Sequence, residues 1–332
     1  MNLIDGKSIL ITGGTGSFGK AFIKYVLANF KPKRLVVFSR DELKQFDMAN
    51  EIDAPNLRYF IGDVRDASRL ERALSGIDIV IHAAAMKQVV ASEYNPIECI
   101  MTNVIGAENV VNACIDCGVK KVIALSTDKA VNPLNLYGAS KLCSDKLFVA
   151  ANNISGADGC RFSVVRYGNV IGSRGSVVPL FRKQMKQGKI TITDPRMTRF
   201  WLTVGEGVNF VINNLELMRG GEVFVPKIPS MRLTDLASAI APGCEQEFIG
   251  IRPGEKLHET MVPQDEAHQT VEFENYYIIR PNFPLWGEVD ALTYGGETGT
   301  PVSDGFSYSS DNNTHWVTDE EFSAMASIEG ES

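Results

Sequence analysis

A chain of 332 residues with 44% apolar content can bury a large core, and a formal charge of −7 without basic clusters argues against a nucleic-acid partner. No apolar run approaches the roughly 20 residues that span a bilayer, and the opening MNLIDGKSIL lacks a signal-peptide layout, so a cytoplasmic protein without a membrane partner is expected. Six cysteines (Cys99, Cys114, Cys117, Cys143, Cys160 and Cys244) fall mostly inside apolar patterns and read as reduced buried thiols; Cys114-x-x-Cys117 has no second ligand pair, so no metal is expected.

The first predicted element is the apolar strand Ser8-Ile9-Leu10-Ile11. Thr12-Gly13-Gly14-Thr15-Gly16-Ser17-Phe18-Gly19 follows at once, and then the helical pattern AFIKYVLANF. Strand, glycine turn and helix in this order form a dinucleotide fingerprint. Gly13 permits a tight turn, Gly16 lets the backbone approach a pyrophosphate, and Gly19 allows close helix packing, while the helix N-terminus favours negative charge. Gly13, Thr15, Gly16, Ser17, Phe18 and Gly19 are therefore cofactor candidates.

The second strand, Arg34 to Phe38, ends in Ser39-Arg40-Asp41. An acidic residue there selects the ribose hydroxyls of NAD, whereas a cation accepts a 2′-phosphate. Arg40, Ser39 and Lys44 favour NADP; Asp41 keeps NAD open. Next come a strand from Asn56 to Phe60 with Gly62-Asp63-Val64 at its end, where Asp63 is a candidate for the adenine amino group, and a strand from Asp78 to His82. Ala83-Ala84-Ala85 then offers a side-chain-poor surface for a cofactor. His82 and His258 are isolated and read as structural or surface histidines.

The strand KKVIALST ends at Thr127, followed by Asp128 and Lys129 and then by Tyr137-Gly138-Ala139-Ser140-Lys141. Tyr137 and Lys141 are four apart and share one helix face, so the ammonium can depress the phenol and make Tyr137 a general base. The Thr127 hydroxyl can share a substrate oxygen with it, and Asp128 and Lys129 add a second acid/base pair.

Strands and helices alternate from Ser8 to about Val170, which predicts a Rossmann-type doubly wound parallel sheet. Beyond it Gly172, Gly175 and Pro179 break the pattern, and Arg182 to Gly188 reads as a short basic helix opening a smaller lobe. Thr203 to Met218 reads as a helix returning to the core and Glu222 to Val225 as a strand. The expected division is thus interleaved: residues 1–170, completed by about 203–228, for the cofactor, and 171–202 with 229–332 for the substrate. The weakly periodic tail, Gly295 to Asn313, is expected to be loosely ordered or to wrap another subunit.

Through TGGTGSFG, the alanine-rich strand end and Tyr-x-x-x-Lys with its upstream Thr, the chain resembles the extended short-chain dehydrogenase/reductase superfamily. HAAAMKQV, EYNPIE, STDKAVNPLNLYGASK, VRYGNVIGSRGSVVPLF, MTRFW and IRPGEKLHE are most similar to the UDP-N-acetylglucosamine 4,6-dehydratases that invert carbon 5, at the start of pseudaminic acid biosynthesis. Asp128-Lys129 is the discriminating pair, because dehydratases acting on TDP-glucose carry Asp-Glu there and 4-epimerases carry neither. The resemblance implies that Tyr137, with Lys141, takes the proton of the sugar's 4-hydroxyl while carbon 4 passes hydride to a nicotinamide. Lys129, desolvated near other cations, is then the base at carbon 5, and protonated Asp128 donates to the departing 6-hydroxyl. The hydride returns to carbon 6, so NADP stays bound and is recycled; which group reprotonates carbon 5 stays open. The resemblance also implies that Lys87 and Asn103 lie near nicotinamide and sugar, that Asn169, Val177, Val178, Arg199, Arg252 and Glu255 meet the nucleotide, and that the protein is a homo-oligomer. A carbon-5-retaining dehydratase, a 4-epimerase and a non-catalytic NADP-binding sensor are the alternatives; water loss and turnover separate them.

Overall fold

The structure, a computed structural model, describes residues 3–173, 177–281 and 292–328. The amino-terminal half alternates β1 (Ser8–Thr12), α1 (Ser17–Asn29), β2 (Arg34–Ser39), α2 (Glu42–Glu51), β3 (Leu57–Ile61), α3 (Ala67–Leu74), β4 (Ile79–His82), α4 (Val89–Tyr94), α5 (Pro96–Ile100), α6 (Gly106–Asp116), β5 (Lys121–Thr127), α7 (Leu136–Ser155) and β6 (Arg161–Tyr167). The strands read as apolar runs because helices cover both faces: all five residues of β1 are buried, as are all four of β4. They pair in parallel in the order β3-β2-β1-β4-β5-β6. The strand order reverses between β1 and β4, the place where open sheets of this kind bind ligands. Register aligns the carboxyl ends, with Thr12 opposite Phe38 and His82, and Thr127 opposite Tyr167.

After β6 the chain leaves through β7 (Asn169–Val170), α8 (Val177–Met185), β8 (Lys189–Ile192) and β9 (Thr198–Leu202). It returns through α9 (Val204–Leu217) and β10 (Val223–Pro226), then goes out again through β11 (Ser230–Arg232), α10 (Leu233–Ile240) and β12 (Glu245–Phe248). α9 starts where the sequence places it, because Thr203 and Glu206 cap each other reciprocally. The outlying elements have their own core, with Ile171, Phe181, Trp201, Met231, Leu236 and Phe322 buried together. The helix expected at Arg182 already begins at Val177, since Val178 and Phe181 supply its buried face. Gly175 lies outside the described residues.

The carboxyl-terminal part departs from its expected place in the smaller lobe. After β13 (Thr260–Val262), β14 (Thr270–Glu272) and β15 (Tyr276–Ile279) join the large sheet antiparallel beside β10, and Thr300–Pro301 pairs on β14. Among the described residues the sheet has ten strands. The tail is also pinned rather than loose. Tyr308 exchanges hydrogen bonds with the backbone of Ile228 at 2.9 and 3.0 Å, and Ser310 and Asn313 are buried. Side-chain to backbone bonds order it, which hydrophobic periodicity does not register. No helix among the described residues is long and apolar enough to cross a membrane.

Candidate active site

A cleft of about 1360 Å³ opens over the carboxyl ends of β1, β4 and β5 and extends beneath α8 and β9. The glycine turn forms one wall. Gly13 has φ +68°, and a Cβ there would lie 2.9 Å from the Ala83 carbonyl carbon; a Cβ on Gly19 would lie 2.5 Å from Gly14 Cα, so α1 sits directly on the turn. Gly16 heads α1 without a side-chain cap, which leaves the first-turn amides in need of an acceptor, and Thr15, Gly16, Ser17 and Phe18 line the cleft. Beneath them the Thr12 hydroxyl accepts from the Ala83 and Ala84 amides, each at 3.2 Å, and meets His82 Nδ1 at 2.9 Å. This fixes the bare Ala83–Ala85 floor, and His82 is the structural histidine expected.

At the β2 end Ser39, Arg40, Asp41, Lys44, Asp63 and Val64 line the cleft. Asp41 is spent on α2: it accepts from Lys44 N at 3.0 Å and pairs with the Lys44 ammonium at 2.5 Å, and Lys44 holds its carboxyl below the ordinary value. Asp63 is likewise occupied, with both oxygens accepting from Arg65 at 2.7–3.0 Å and Oδ2 also lying 3.7 Å from the Arg40 guanidinium as an ion pair. Burial opposes its charge, but the Arg65 bonds outweigh that and hold the carboxyl low.

β5 delivers Thr127 to the cleft, a single 3-10 turn carries Asp128 and Lys129, and Asn135 caps α7 through the Gly138 amide at 2.8 Å. Thr127, Lys129, Tyr137 and Lys141 all line the cleft. Asp128 does not. It is fully buried behind them, with Oδ1 accepting from Thr127 Oγ1 at 2.9 Å and from Lys129 Nζ at 3.0 Å, and with Oδ2 lacking a hydrogen-bond partner among the described residues.

The electrostatics correct two expectations. Burial pushes the Tyr137 phenol up to about 12; the cation that opposes this is Lys129, aided by Thr127, not the Lys141 one helical turn away. Lys141 is itself buried, which lowers its pKa, and the carboxylate opposing that is Asp145. Lys129 was expected to be depressed by desolvation. Burial does act that way, but Asp128 and then Glu259 outweigh it and raise the ammonium above its ordinary value, against a smaller effect of Arg199.

Of the remaining sequence candidates, Lys87, Asn169, Val177, Arg199, Arg252 and Glu255 line the cleft, and Asn169 Oδ1 accepts from Lys129 at 3.1 Å. Asn103 does not. It is buried, bonding the Met86 amide at 2.8 Å, the Met86 carbonyl at 2.9 Å and Ser140 Oγ at 2.9 Å, so it braces the loop after β4. Val178 points into the second core and is 1% exposed. The Arg199 guanidinium is largely committed to the carbonyls of Thr198, Lys256 and Leu257.

Three buried charges escaped the sequence reading. Asp145 accepts from Ser126 Oγ at 2.6 Å and faces Arg166 at 3.9 Å, and Arg166 reaches Glu266 at 3.0 Å. Asp145 continues the spacing of four from Tyr137 and Lys141, a signal that could have found it. Glu259 closes the quoted IRPGEKLHE run, but only the fold brings it to Lys129, at 3.7 Å.

The chain is similar to known proteins over most of its length. The family described as "polysaccharide biosynthesis protein" matches residues 9–281. A protein of Campylobacter jejuni named UDP-N-acetylglucosamine 4,6-dehydratase (inverting) is 59% identical over 323 residues, which is 96% of this chain and 97% of its own. A UDP-glucose 4-epimerase of Rickettsia canadensis is 45% identical over 282 residues, 82% of each chain. The crystal structure of Pen from Bacillus thuringiensis superposes with a TM-score of 0.89 at 37% identity, over 99% of both chains. The chain therefore belongs to the family of polysaccharide biosynthesis proteins, within the extended short-chain dehydrogenase/reductase superfamily.

Proposed function

We propose that the protein is an inverting UDP-N-acetylglucosamine 4,6-dehydratase, and the observation that carries this is that Thr127, Lys129 and Tyr137 share one cleft, with Asp128 bonded to Thr127 and Lys129 from behind. The cradle at Gly13 and the uncapped start of α1 suit a dinucleotide pyrophosphate. Ser39, Arg40 and Lys44 are the residues for a 2′-phosphate, and Asp41, engaged as a helix cap, does not compete for a ribose hydroxyl; this favours NADP over NAD. Bound there, NADP supplies a place for the carbon-4 hydride until it returns to carbon 6.

In its phenolate form, which burial opposes and Lys129 and Thr127 favour, Tyr137 takes the proton of the 4-hydroxyl. The resulting ketone acidifies carbon 5. Lys129 Nζ donates a proton into a 3.0 Å hydrogen bond with Asp128 Oδ1. Moved to Asp128, it leaves a neutral amine facing carbon 5. The acid then serves the departing 6-hydroxyl through the Thr127 hydroxyl, since Asp128 itself does not reach the cleft. Lys87, Asn169, Val177, Arg252 and Glu255 hold the UDP-sugar, and Arg199 positions the loop beside them. The large sheet serves the cofactor and the smaller lobe the sugar nucleotide. The same reading places the enzyme in the cytoplasm at the head of pseudaminic acid synthesis. It also makes the protein a homo-oligomer, supported by the exposed apolar side chains of Val90, Tyr94 and Ile97.

The likeness to proteins named 4-epimerases favours one other reading, reversible inversion at carbon 4. Proton NMR of the protein with UDP-N-acetylglucosamine in deuterated water decides. A 4-keto-6-deoxy product of L-arabino configuration with deuterium at carbon 5 supports the dehydratase. A 4-epimer that retains its 6-hydroxyl refutes it.

A further inference from the structure

The segment from Arg252 to Glu259 straps the nucleotide side of the cleft to the catalytic turn. Arg252 and Glu255, 3.8 Å apart, line the cleft at its start. Its middle is tied to the turn and to the start of α7: Asn135 Nδ2 donates to the Gly254 carbonyl at 2.9 Å, and Lys256 Nζ to the Val131 carbonyl at 2.5 Å. Arg199 on β9 fastens it from the other side through the carbonyls of Lys256 and Leu257, each at 2.9 Å.

Glu259 ends the strap and is 3% exposed. Its amide donates to Ser310 Oγ at 3.0 Å. One carboxylate oxygen lies 3.7 Å from Lys129 Nζ and 3.9 Å from Arg199 Nε, and the other lies 3.6 Å from Lys256 Nζ without a hydrogen-bond partner among the described residues. A carboxylate so far from water keeps its charge only among cations, and here three surround it. Lys129 in turn is faced by Asp128 on its own turn, Glu259 on the strap, Arg199 on β9, Tyr137 on α7 and Asn169 on β7. Asp128 and Glu259 are the two anions of that set.

We propose that Glu259 is a positioning residue for Lys129: its buried carboxylate holds the ammonium in place from behind the cleft wall and ties it to the strap that carries Arg252 and Glu255. The proposal rests on the reading of Lys129 as the base at carbon 5. Substrate must seat against a lysine whose charge is already balanced on both sides.

The test measures how readily the Lys129 amine is acetylated as a function of pH, by mass spectrometry of its peptide from the full-length protein without sugar nucleotide. In Glu259→Gln the midpoint of labelling falls by about one pH unit, the usual effect of removing one opposite charge at this distance. In Lys256→Met, which frees Glu259 from a competing cation, the midpoint rises. With UDP-N-acetylglucosamine, Glu259→Gln also moves the pH profile of deuterium entry at carbon 5 downward. A purely structural Glu259 lowers the melting temperature but moves neither midpoint, and that result overturns the proposal. Should Glu259→Gln fail to fold, Lys256→Met decides, and an unmoved or lowered midpoint there overturns it. Absence of turnover in the unmodified protein counts against the dehydratase reading alone, because labelling needs no substrate.

Discussion

His82 should make the protein acid-sensitive by an amount the structure specifies. The Thr12 hydroxyl accepts from the amides of Ala83 and Ala84, so its own proton points at His82 Nδ1. The ring must then be neutral, with its proton on Nε2. A proton added at Nδ1 would set two donors against each other in a site 1% exposed. Burial, helped by the nearby Lys141 charge, accordingly lowers the imidazole from 6.5 to about 3. The unfolded chain binds the proton below about pH 6.5 and the folded chain does not, so stability is full above 6.5 and declines as pH falls toward 3. Linkage gives a loss of about 2 kcal/mol between pH 7.5 and pH 5 from this one group. His82→Asn, which keeps an acceptor for Thr12 and removes the titration, isolates it from the carboxylates. Urea unfolding of both proteins at the two pH values is the assay. The unmodified protein should lose about 2 kcal/mol more than the variant. Equal losses would refute the neutral, donor-blocked ring.

Tyr137→Phe should lower turnover by about 10²- to 10⁴-fold while NADP binding, followed by fluorescence titration, is retained; near-normal turnover would remove Tyr137 from the proposed chemistry. Gly13→Ala places a Cβ against the Ala83 backbone at positive φ, so thermal melting should show a loss of about 2 kcal/mol together with weakened NADP binding. Arg40→Ala should reduce the preference for NADP over NAD by about tenfold, the scale of one charged hydrogen bond, in paired cofactor titrations; an unchanged ratio would place the 2′-phosphate elsewhere.

The fold and the gathering of Thr127, Lys129, Tyr137 and Lys141 at one cleft were legible because each depends on neighbours in the chain. Thr12 to Gly19 makes its own turn, and Thr127 to Lys141 spans one strand end, one short turn and the start of one helix. Alternation of apolar runs with helical patterns likewise predicts a parallel sheet buried on both faces. By contrast, Asn103 and Val178 carry the right chemistry at plausible positions, yet one is consumed by Met86 and Ser140 and the other by the second core.

What the chain alone determined, then, was the local machinery: the glycine turn, the strand ends and the Tyr137–Lys141 spacing, all set by backbone geometry within a few residues. Tertiary structure decided the charge states and the edge of the sheet. Burial lowers Lys129, but its neighbour Asp128 and then Glu259, brought from a remote segment, together outweigh burial and raise it. β14 and β15 complete the large sheet because Val271 and Ile278 bury against it, a partnership no local pattern encodes. Coulombic and packing energies depend on distance in space, and for these residues the fold alone sets that distance.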